Sequence, residues 1–381
     1  MQEYDVAIIG GGPAGSSAAL HLCRAGFSVC LLEKALFPRE TVCGEFLSTE
    51  VSECLKSLGL FEEFLALSPN PLRHFRLFHS AENAAEAPLP SPVYGLRRGV
   101  FDRFLLDSAR HAGTNVVQPG DVQSVVKNRS VFTLAFNAEG LMSKISARSV
   151  VGAYGRWNAL DRQLRDEKST ALSPCTGIKI HIDVSEIRGL ERDTITLFGG
   201  AGMYCGINAV DRNVATISLL EHRSGSHSPP RKCFDELLRT NGALQQLLPS
   251  ARLSGWFDGK VYGTGRMYFG ERRLVNNGVF MIGDAARVIP PLVGDGIGMA
   301  MESGRMIAEL FQNRRAGRVQ DADAARVYTR LWDRRFRRRV TMANAVHQIM
   351  MRDLLRGPGV WMARNSSRVL PAIISASRST V

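Results

Sequence analysis

The residues whose spacing first suggests chemistry are three glycines near the start of the chain. Gly10, Gly12 and Gly15 form a Gly-x-Gly-x-x-Gly pattern, and Glu33 stands 18 positions after the last of them. Gly10 permits a tight turn, Gly12 lets the backbone approach a pyrophosphate, and Gly15 lets a helix and a strand pack closely. Glu33 can accept hydrogen bonds from a ribose 2′-hydroxyl. The pattern predicts a site for FAD or NAD.

The predicted elements around these glycines are the ones that such a site needs. Apolar residues 4–9 predict a buried strand, residues 16–24 a helix and residues 27–33 a second strand. This βαβ unit of about 30 residues directs the amides and the positive dipole of the helix N-terminus at the phosphates. To the same cofactor surface we assign four further residues, namely Pro13, Ala14, Lys34 and Val122.

A second glycine-bearing motif lies far along the chain. Residues 279–282 predict a buried strand that ends in Gly283-Asp284, and a helix is predicted from Ile297. The loop between them carries Pro291, Gly294 and Gly296. Backbone amides and a helix N-terminus at this place would stabilise negative charge at N1 and O2 of a reduced flavin.

The two motifs together resemble the FAD-dependent oxidoreductases of the geranylgeranyl reductase and aromatic hydroxylase superfamily, which also contains flavin-dependent halogenases. The resemblance covers about residues 1–310. It implies an α/β fold: a Rossmann-like FAD domain, an inserted antiparallel-sheet substrate domain and a helical C-terminal segment. The boundaries we predict are 1–70, 97–165 and 270–312 for the FAD domain, 71–96 and 166–269 for the substrate domain, and 313–381 for the Arg-rich C-terminal region.

The resemblance also implies roles for single residues. Asp284 would bind the ribityl chain, and the loop with Pro291, Gly294, Gly296 and Ile297 would lead to the flavin pyrimidine. Cys43-Gly44-Glu45 resembles the Cys-Gly-Glu segment that lies by the flavin in geranylgeranyl reductases. Arg39 and Arg98 stand where relatives place arginines that approach the cofactor. The alternatives are a buried free thiol for Cys43 and structural ion pairs for the two arginines.

The chain departs from the superfamily pattern in two places. Relatives often carry Asp-Gly before the position of Trp157, where this chain has Tyr154-Gly155, so the mode of NAD(P)H binding is left open. Geranylgeranyl reductases carry Tyr-x-Trp-x-Phe-Pro in the substrate sheet, and only Tyr204 of that pattern is present here. The halogenase Trp-x-Trp-x-Ile-Pro pattern is also absent, which disfavours halogenation.

These observations predict an FAD-dependent oxidoreductase with NAD(P)H as electron donor. We rank first a monooxygenase that hydroxylates an aromatic or polyketide-type apolar substrate through a flavin hydroperoxide. An ene reductase acting on an isoprenoid or polyketide double bond is the alternative, and a non-catalytic escort protein is disfavoured. Candidate catalytic residues are Cys43, Tyr204 and Cys205, with Asn208 on the same predicted strand. Arg73 and His74 are further candidates for which a surface position is favoured.

Three other stretches carry predictions about structure. The proline-rich residues 68–92 predict a crossover that leaves the first domain, and the period-two pattern of residues 175–220 predicts an antiparallel sheet. Residues 234–248 predict one helix. A long C-terminal helix is predicted to bury a stripe of apolar residues that runs from Tyr328 to Leu354.

Composition limits the possible classes of protein. The chain has 381 residues, 45% of them hydrophobic and 22% charged, which is typical of a globular protein. No apolar run is long enough to span a membrane, and no secretory signal is recognisable. The seven cysteines are scattered and the histidines show no ligand spacing, so we predict a reduced, cytoplasmic protein without a metal site.

Positive charge is concentrated at the C-terminal end. The net charge is +12, of which residues 310–381 carry +11 through 15 arginines and four aspartates. Such a segment predicts contact with an acidic carrier protein or an anionic membrane surface, and intramolecular pairing is the alternative. The location would then be cytoplasmic or peripheral to the inner membrane. Nucleic acid is not expected, because no base-stacking motif accompanies the arginines.

Overall fold

The computed structural model describes residues 1–156, 158–165, 175–200, 202–222, 229–248 and 261–376. Trp157 and most of the predicted 224–230 loop lie outside these residues. The strands of the described part are β1 (Gln2–Ile9), β2 (Val29–Leu32), β3 (Phe46–Leu47), β4 (Asn70–Phe78), β5 (Ala84–Gly95), β6 (Asn115–Val117), β7 (Asp121–Asn128), β8 (Val131–Ala138), β9 (Leu141–Gly152), β10 (Cys175–Asp183), β11 (Thr194–Gly200), β12 (Met203–Ala209), β13 (Val214–His222), β14 (Tyr262–Met267), β15 (Val275–Asn276) and β16 (Val279–Met281). The α-helices are α1 (Pro13–Arg24), α2 (Thr49–Ser57), α3 (Phe61–Ala66), α4 (Arg98–His111), α5 (Asp161–Leu164), α6 (Pro230–Thr240), α7 (Gly242–Leu247), α8 (Gly296–Arg315), α9 (Ala324–Met351), α10 (Asp353–Asn365) and α11 (Val369–Ala376).

The first sheet has a parallel centre. Its order is β15-β16-β9-β1-β2-β6, and β7 and β8 extend it from β9. β1 runs parallel to both β2 and β9, and β9 runs parallel to β16. The strands are apolar and buried because helices cover the sheet, as parallel sheets require. This confirms the predicted Rossmann-like α/β fold and brings the carboxyl ends of β1, β2, β9 and β16 to one edge.

The second sheet has the order β14-β10-β13-β12-β11-β4-β5-β3. Its neighbours pair antiparallel except for β11 and β4, which are parallel. An apolar core on this sheet includes Phe198, Cys205 and Ile217 together with residues of α6 and α7. The inserted antiparallel sheet is therefore present, although β3 joins it from within residues 1–70. The domain boundaries remain a prediction.

Strands β4 and β5 occupy most of residues 68–92 and form a hairpin of the second sheet, so this stretch leads from the first sheet to the second. One local prediction was wrong. The helix predicted over 234–248 is two helices, since Asn241 interrupts it and its side-chain oxygen caps α7 by accepting from the amide of Leu244.

The C-terminal region is helical as predicted. Helix α9 has 28 residues and buries Tyr328, Trp332 and Phe336 against the first sheet's helices and strands. Leu354, the last residue of the predicted stripe, lies beyond this helix and is 91% exposed. Two further helices follow, and both pack on β5 of the second sheet. Among the described helices none combines the length and apolar character needed to cross a bilayer.

Candidate active site

The first glycine turn forms a tightly closed cradle at the end of β1. Gly10 has a φ of +107°, and a Cβ there would lie 2.5 Å from the carbonyl oxygen of Ala153. A Cβ on Gly15 would lie 1.9 Å from the carbonyl oxygen of Gly10. Helix α1 begins with Pro13 after Gly12 and has no side-chain cap. Its first amides are therefore available to a phosphate group.

Glu33 is held beside this turn at the end of β2. One carboxylate oxygen accepts from the amide of Gly11 at 2.6 Å, and the other accepts from the amide of Ala35 at 2.8 Å. The side chain lines the central cavity although the residue is 4% exposed. Each oxygen keeps a second lone pair, so the oriented carboxylate can still accept a bond from a ribose hydroxyl.

The ends of β9 and β16 place two further predicted segments together. Nε of Arg156 lies 3.8 Å from a carboxylate oxygen of Asp284, and both residues line the cavity. Burial raises the pKa of Asp284, and Arg156 opposes that shift. Tyr154, which replaces the acid of the superfamily motif, donates to Asp161 at 2.8 Å. The Tyr154 side chain is thus engaged in a hydrogen bond within the protein.

The loop before α8 closes the cavity from another side. Gly294 has a φ of +67°, and a Cβ there would lie 2.6 Å from the Phe46 ring, so only glycine fits. Asp295 follows it, is fully buried, and accepts from Nη1 of Arg339 at 3.1 Å. Arg339 comes from α9, so the C-terminal region braces the start of α8.

Arg39 and Arg98 share one buried carboxylate. Arg98 donates to both oxygens of Asp102, at 2.7 and 2.8 Å, and Nη2 of Arg39 lies 3.7 Å from the same group. Burial would lower the pKa of Arg98, but Asp102 outweighs burial and raises it. Both arginines also line the cavity. The ion pairs therefore hold the two guanidinium groups at the cavity wall.

Glu45 forms a buried network that the sequence motif did not reveal. Its carboxylate is fully buried and accepts from the Arg98 amide at 2.9 Å and from Lys179 Nζ at 2.8 Å. His181 and Thr216 bind its second oxygen. Burial alone would raise the pKa of Glu45, but the hydrogen bond to His181 and the charge of Lys179 lower it to about 2. The network joins the Cys-Gly-Glu segment to β10 and β13 of the second sheet.

Glu40, Glu45 and His181 also come close enough to share a metal ion, with ligand atoms within 4.8 Å of one another. The ammonium group of Lys179 is already placed between the two carboxylates and pairs with both. Lys179 therefore supplies the positive charge that a cation would bring to this cluster.

The substrate sheet separates the three proposed catalytic residues. Cys43 and Tyr204 line the same cavity, as does Asn208. Cys205 is fully buried on the other face of β12, in the core with Phe198 and Ile217, and is not among the cavity-lining residues. Successive residues of a strand point to opposite faces, so Tyr204 and Cys205 cannot both face the cavity.

The hydroxyl of Tyr204 is buried and has no hydrogen-bond partner of good geometry among the described residues. Burial raises its pKa well above the usual range, and the backbone of Leu292 opposes that only in part. The phenol is therefore protonated at neutral pH and can donate its proton to a group in the cavity. Arg73 and His74 lie on β4 and are not among the residues that line the cavity.

The cavity has a volume of about 610 Å³ and brings the predicted cofactor residues into one space. Its wall contains these residues of the predicted set: Gly10, Gly12, Pro13, Ala14, Glu33, Lys34, Arg39, Cys43, Gly44, Arg98, Val122, Asp284, Pro291, Gly294, Gly296 and Ile297. Gly15 and Gly283 are not among them. Both are packing positions, since a Cβ on Gly283 would lie 2.8 Å from the Cβ of Ala14.

Beyond the cofactor residues the wall becomes aliphatic and includes the C-terminal helices. One side is formed by Leu77 and Leu197 of the second sheet, and the other by Val360 of α10 and Ile374 of α11. These helices were not among the predicted elements of the site. The signal that could have indicated them is the helical spacing of small and apolar residues at 359–363 and 370–374.

The donor set fits a bound FAD. The uncapped helix N-terminus and the glycine cradle match a pyrophosphate, and Glu33 matches an adenosine ribose. Nε of Arg39 is buried at the cavity wall without a hydrogen-bond partner among the described residues. An acceptor in the cavity would satisfy it.

Comparison with known proteins agrees with this fit. Residues 3–320 match the family described as FAD binding domain. The chain belongs to this family. It is an FAD-dependent oxidoreductase, and the matched range contains both glycine motifs and all the described strands of the second sheet.

Curated relatives of this oxidoreductase catalyse different reactions. It is 29% identical over 347 residues to a digeranylgeranylglycerophospholipid reductase of Methanosarcina mazei, a match that covers 87% of this chain and 80% of the relative. It is 25% identical over 351 residues to a Pseudomonas fluorescens chlorinase of 1H-pyrrole-2-carbonyl peptidyl-carrier protein, covering 80% and 74%. Among solved structures, a geranylgeranyl bacteriochlorophyll reductase-like protein of Thermoplasma acidophilum superposes with a TM-score of 0.78 at 19% identity, covering 99% and 96%. The last match shows the fold alone.

Proposed function

We propose that this oxidoreductase reduces a carbon–carbon double bond in a long, apolar, isoprenoid-like chain. The observation that carries the proposal is the aliphatic channel that continues from the cofactor residues to the C-terminal helices. This changes the order of the two hypotheses drawn from the sequence, in which hydroxylation came first. The similarity to a digeranylgeranylglycerophospholipid reductase supports the same choice.

The wall of the channel suits an extended hydrocarbon. Leu77, Leu89, Ile195 and Leu197 present branched aliphatic side chains from three neighbouring strands, and Val360 faces them from α10. Small activated aromatic substrates need only a short cavity with polar groups that fix their orientation. A channel whose far part is aliphatic on both sides favours a substrate that is bound through its length.

The reduction requires a hydride and a proton to be added to the two carbons of the double bond. Bound FAD, once reduced by a nicotinamide, would supply the hydride. The protein must supply the proton. Tyr204 is placed for this because its buried hydroxyl lines the cavity, stays protonated and has no hydrogen-bond partner of good geometry among the described residues. Cys43 lines the same cavity and is the second candidate donor.

Hydroxylation remains the second candidate function, and the polar end of the cavity is the observation that favours it. Tyr204 and Asn208 lie beside Ser218 on neighbouring strands, where they could orient a phenol. The relative that acts on a peptidyl-carrier protein is consistent with a carrier-bound substrate for this reaction. NAD(P)H remains the proposed electron donor in both cases.

One experiment distinguishes the reactions. Holoenzyme reduced with NAD(P)H under anaerobic conditions is mixed with a lipid or quinone that bears an unsaturated isoprenoid chain, and the product is analysed by mass spectrometry. We expect a gain of two hydrogen atoms without O₂. A product that forms only when O₂ is admitted, with a gain of one oxygen atom, would contradict the proposal and support hydroxylation. A matched lipid with a saturated chain is the control.

A further inference from the structure

The outer face of α10 carries large apolar side chains that the fold leaves in solvent. Leu354 is 91% exposed, Trp361 60%, Met362 52% and Leu355 44%, and Ile349 at the end of α9 is 40% exposed. Residues seven apart share a helix face, so Leu354 with Trp361 and Leu355 with Met362 form adjacent rows. We call these five residues the C-terminal apolar surface.

Exposed side chains of this size are unusual when they are grouped. Single exposed leucines are normal on a protein, whereas a contiguous group marks a binding surface. The opposite face of α10 is already packed, because Arg356, Val360 and Ala363 are buried. Helix α10 therefore already buries one face in the protein, and the exposed rows lie on its other face.

Basic residues flank the C-terminal apolar surface along the chain. Arg352 and Arg368 are exposed and form no ion pair among the described residues. Asp353 is the only acidic residue from 350 to 381, and it pairs with Arg356 at 2.7 Å. On α9, four more exposed arginines have no carboxylate partner among the described residues: Arg330, Arg334, Arg337 and Arg338.

Intramolecular pairing explains only some of the C-terminal arginines. Arg335 and Arg339 pair with Glu302, and Arg356 is buried. The remaining positive charge, together with large apolar groups and a tryptophan, is the combination that binds the interface of an anionic bilayer. An acidic protein is the competing occupant, and preferential binding to polyglutamate would indicate it.

Two residues of the C-terminal apolar surface also line the cavity. Met362 and Ile349 both contribute to its wall while remaining more than a third exposed. The channel therefore reaches the protein exterior among apolar side chains. We propose that the C-terminal apolar surface docks on an anionic lipid bilayer and that the channel opens towards that bilayer.

The first test is binding of holoenzyme to vesicles by co-sedimentation. We expect binding to vesicles of phosphatidylcholine with phosphatidylglycerol, weaker binding to phosphatidylcholine alone, and a decrease with rising salt. Equal binding to both vesicles, or no binding to either, would overturn the proposal. So would preferential binding to polyglutamate, which stands for an acidic protein partner.

Substitutions locate the contact on the surface. The double variant Leu354→Glu, Trp361→Glu should lose at least about tenfold in vesicle affinity, since two anchors are replaced by anions. The control is Leu141→Glu, Met142→Glu, because these residues are 73% and 61% exposed in the β8–β9 hairpin of the first sheet. Replacing Arg352 and Arg368 by Gln should cost about fivefold each, and Lys144→Gln on β9 should cost little. Retained flavin and circular dichroism show that each variant is folded.

Tryptophan fluorescence gives an independent readout. Trp361 should move from water to a less polar environment on anionic vesicles, which shifts its emission to the blue. Trp361→Phe should keep vesicle binding and lose that shift, and a shift that persists in this variant would show that another surface is in contact. Vesicle binding needs no turnover, so this inference and the proposed reaction can fail separately.

Discussion

The edge of the first sheet and the face of the second sheet build the same cavity in different ways. At the edge of the first sheet, function depends on the shape of the backbone. A Cβ on Gly10, Gly15 or Gly294 would lie 2.6 Å or less from a neighbouring atom. At the second, function depends on which side chains line a wall, as with Leu77 and Leu197. Backbone requirements allow one residue type, whereas an apolar wall accepts many. The cofactor side can therefore stay recognisable while the substrate side changes between enzymes.

Glu45 joins the two regions, and its loss should give the largest effect on stability. Glu45→Gln removes the buried charge that pairs with Lys179, so we expect unfolding free energy to fall by about 3–5 kcal/mol in urea denaturation. Glu45 has a positive φ of 56°. Glu139→Gln is the matched control, because Glu139 has a similar φ of 52° but is exposed. A loss as small as that of the control would mean that the network does not hold the Cys-Gly-Glu segment to the second sheet.

The stability of the wild type and that of Glu45→Gln should depend differently on pH. The pKa of Glu45 in the fold is about 2, below its ordinary value of 4.5. Its contribution to stability is therefore present above pH 4.5 and is lost as the pH falls towards 2. The stability gap between wild type and Glu45→Gln should narrow across that window, and a gap that stays constant would contradict the ionised network.

A substitution in the glycine turn at the edge of the first sheet should reduce FAD binding. Gly15→Ala places a Cβ 1.9 Å from the Gly10 carbonyl oxygen, which must move the turn that faces the phosphates. We expect FAD affinity to fall about 100-fold, or about 3 kcal/mol, measured as flavin fluorescence released on heating. Gly242→Ala is the control because no atom lies within 4 Å of its new Cβ. Equal flavin content in both variants would refute the backbone argument.

A large side chain introduced into the channel should reduce turnover of the substrate and leave flavin reduction unchanged. Ala363→Trp narrows the wall on α10, so kcat/KM for an isoprenoid-chain substrate should fall about tenfold while flavin reduction by NAD(P)H is unchanged. Ala325→Trp, at an exposed position of α9, controls for the added bulk. If both variants turn over normally, the channel does not bind the substrate chain.

Tyr204→Phe should give the smallest change in stability. Its hydroxyl has no hydrogen-bond partner of good geometry among the described residues, so thermal unfolding should change by less than about 1 kcal/mol while turnover drops. Tyr328→Phe is the comparison, because the hydroxyl of Tyr328 donates to the Met281 carbonyl at 2.7 Å and its loss should cost about 1–2 kcal/mol. Undiminished turnover in Tyr204→Phe would remove Tyr204 as the proton donor.

The difference between the regions also explains what the sequence could predict. The βαβ unit follows from a local pattern whose meaning does not depend on distant residues. The roles predicted for Gly283-Asp284, Arg39 and Arg98 were implied by the resemblance to the superfamily. The Glu45 network could not be predicted, because it assembles through contacts 134 and 171 positions apart in the chain, to Lys179 and Thr216. Strand register also decides which side chains of a strand face the cavity. Whether Tyr204 or Cys205 does so could therefore not be predicted before the sheet was known.

The C-terminal helices also could be predicted only in part from the sequence. Their helical pattern was evident for α9, but which side of α10 meets the channel depends on packing against β5. The paired arginines are another case, since Arg339 reaches Asp295 and Glu302 only through the tertiary fold. Charge composition alone could not separate them from the unpaired arginines on the surface.

The proposed reaction requires a reduced flavin in the cavity beside a channel that binds a long apolar chain. The most direct measurement is anaerobic reoxidation of the reduced holoenzyme, followed by flavin absorbance after mixing with isoprenoid substrates of increasing length. We expect reoxidation without O₂ that becomes faster as the chain fills the channel. Reoxidation by O₂ alone, with no response to any of these substrates, would contradict it.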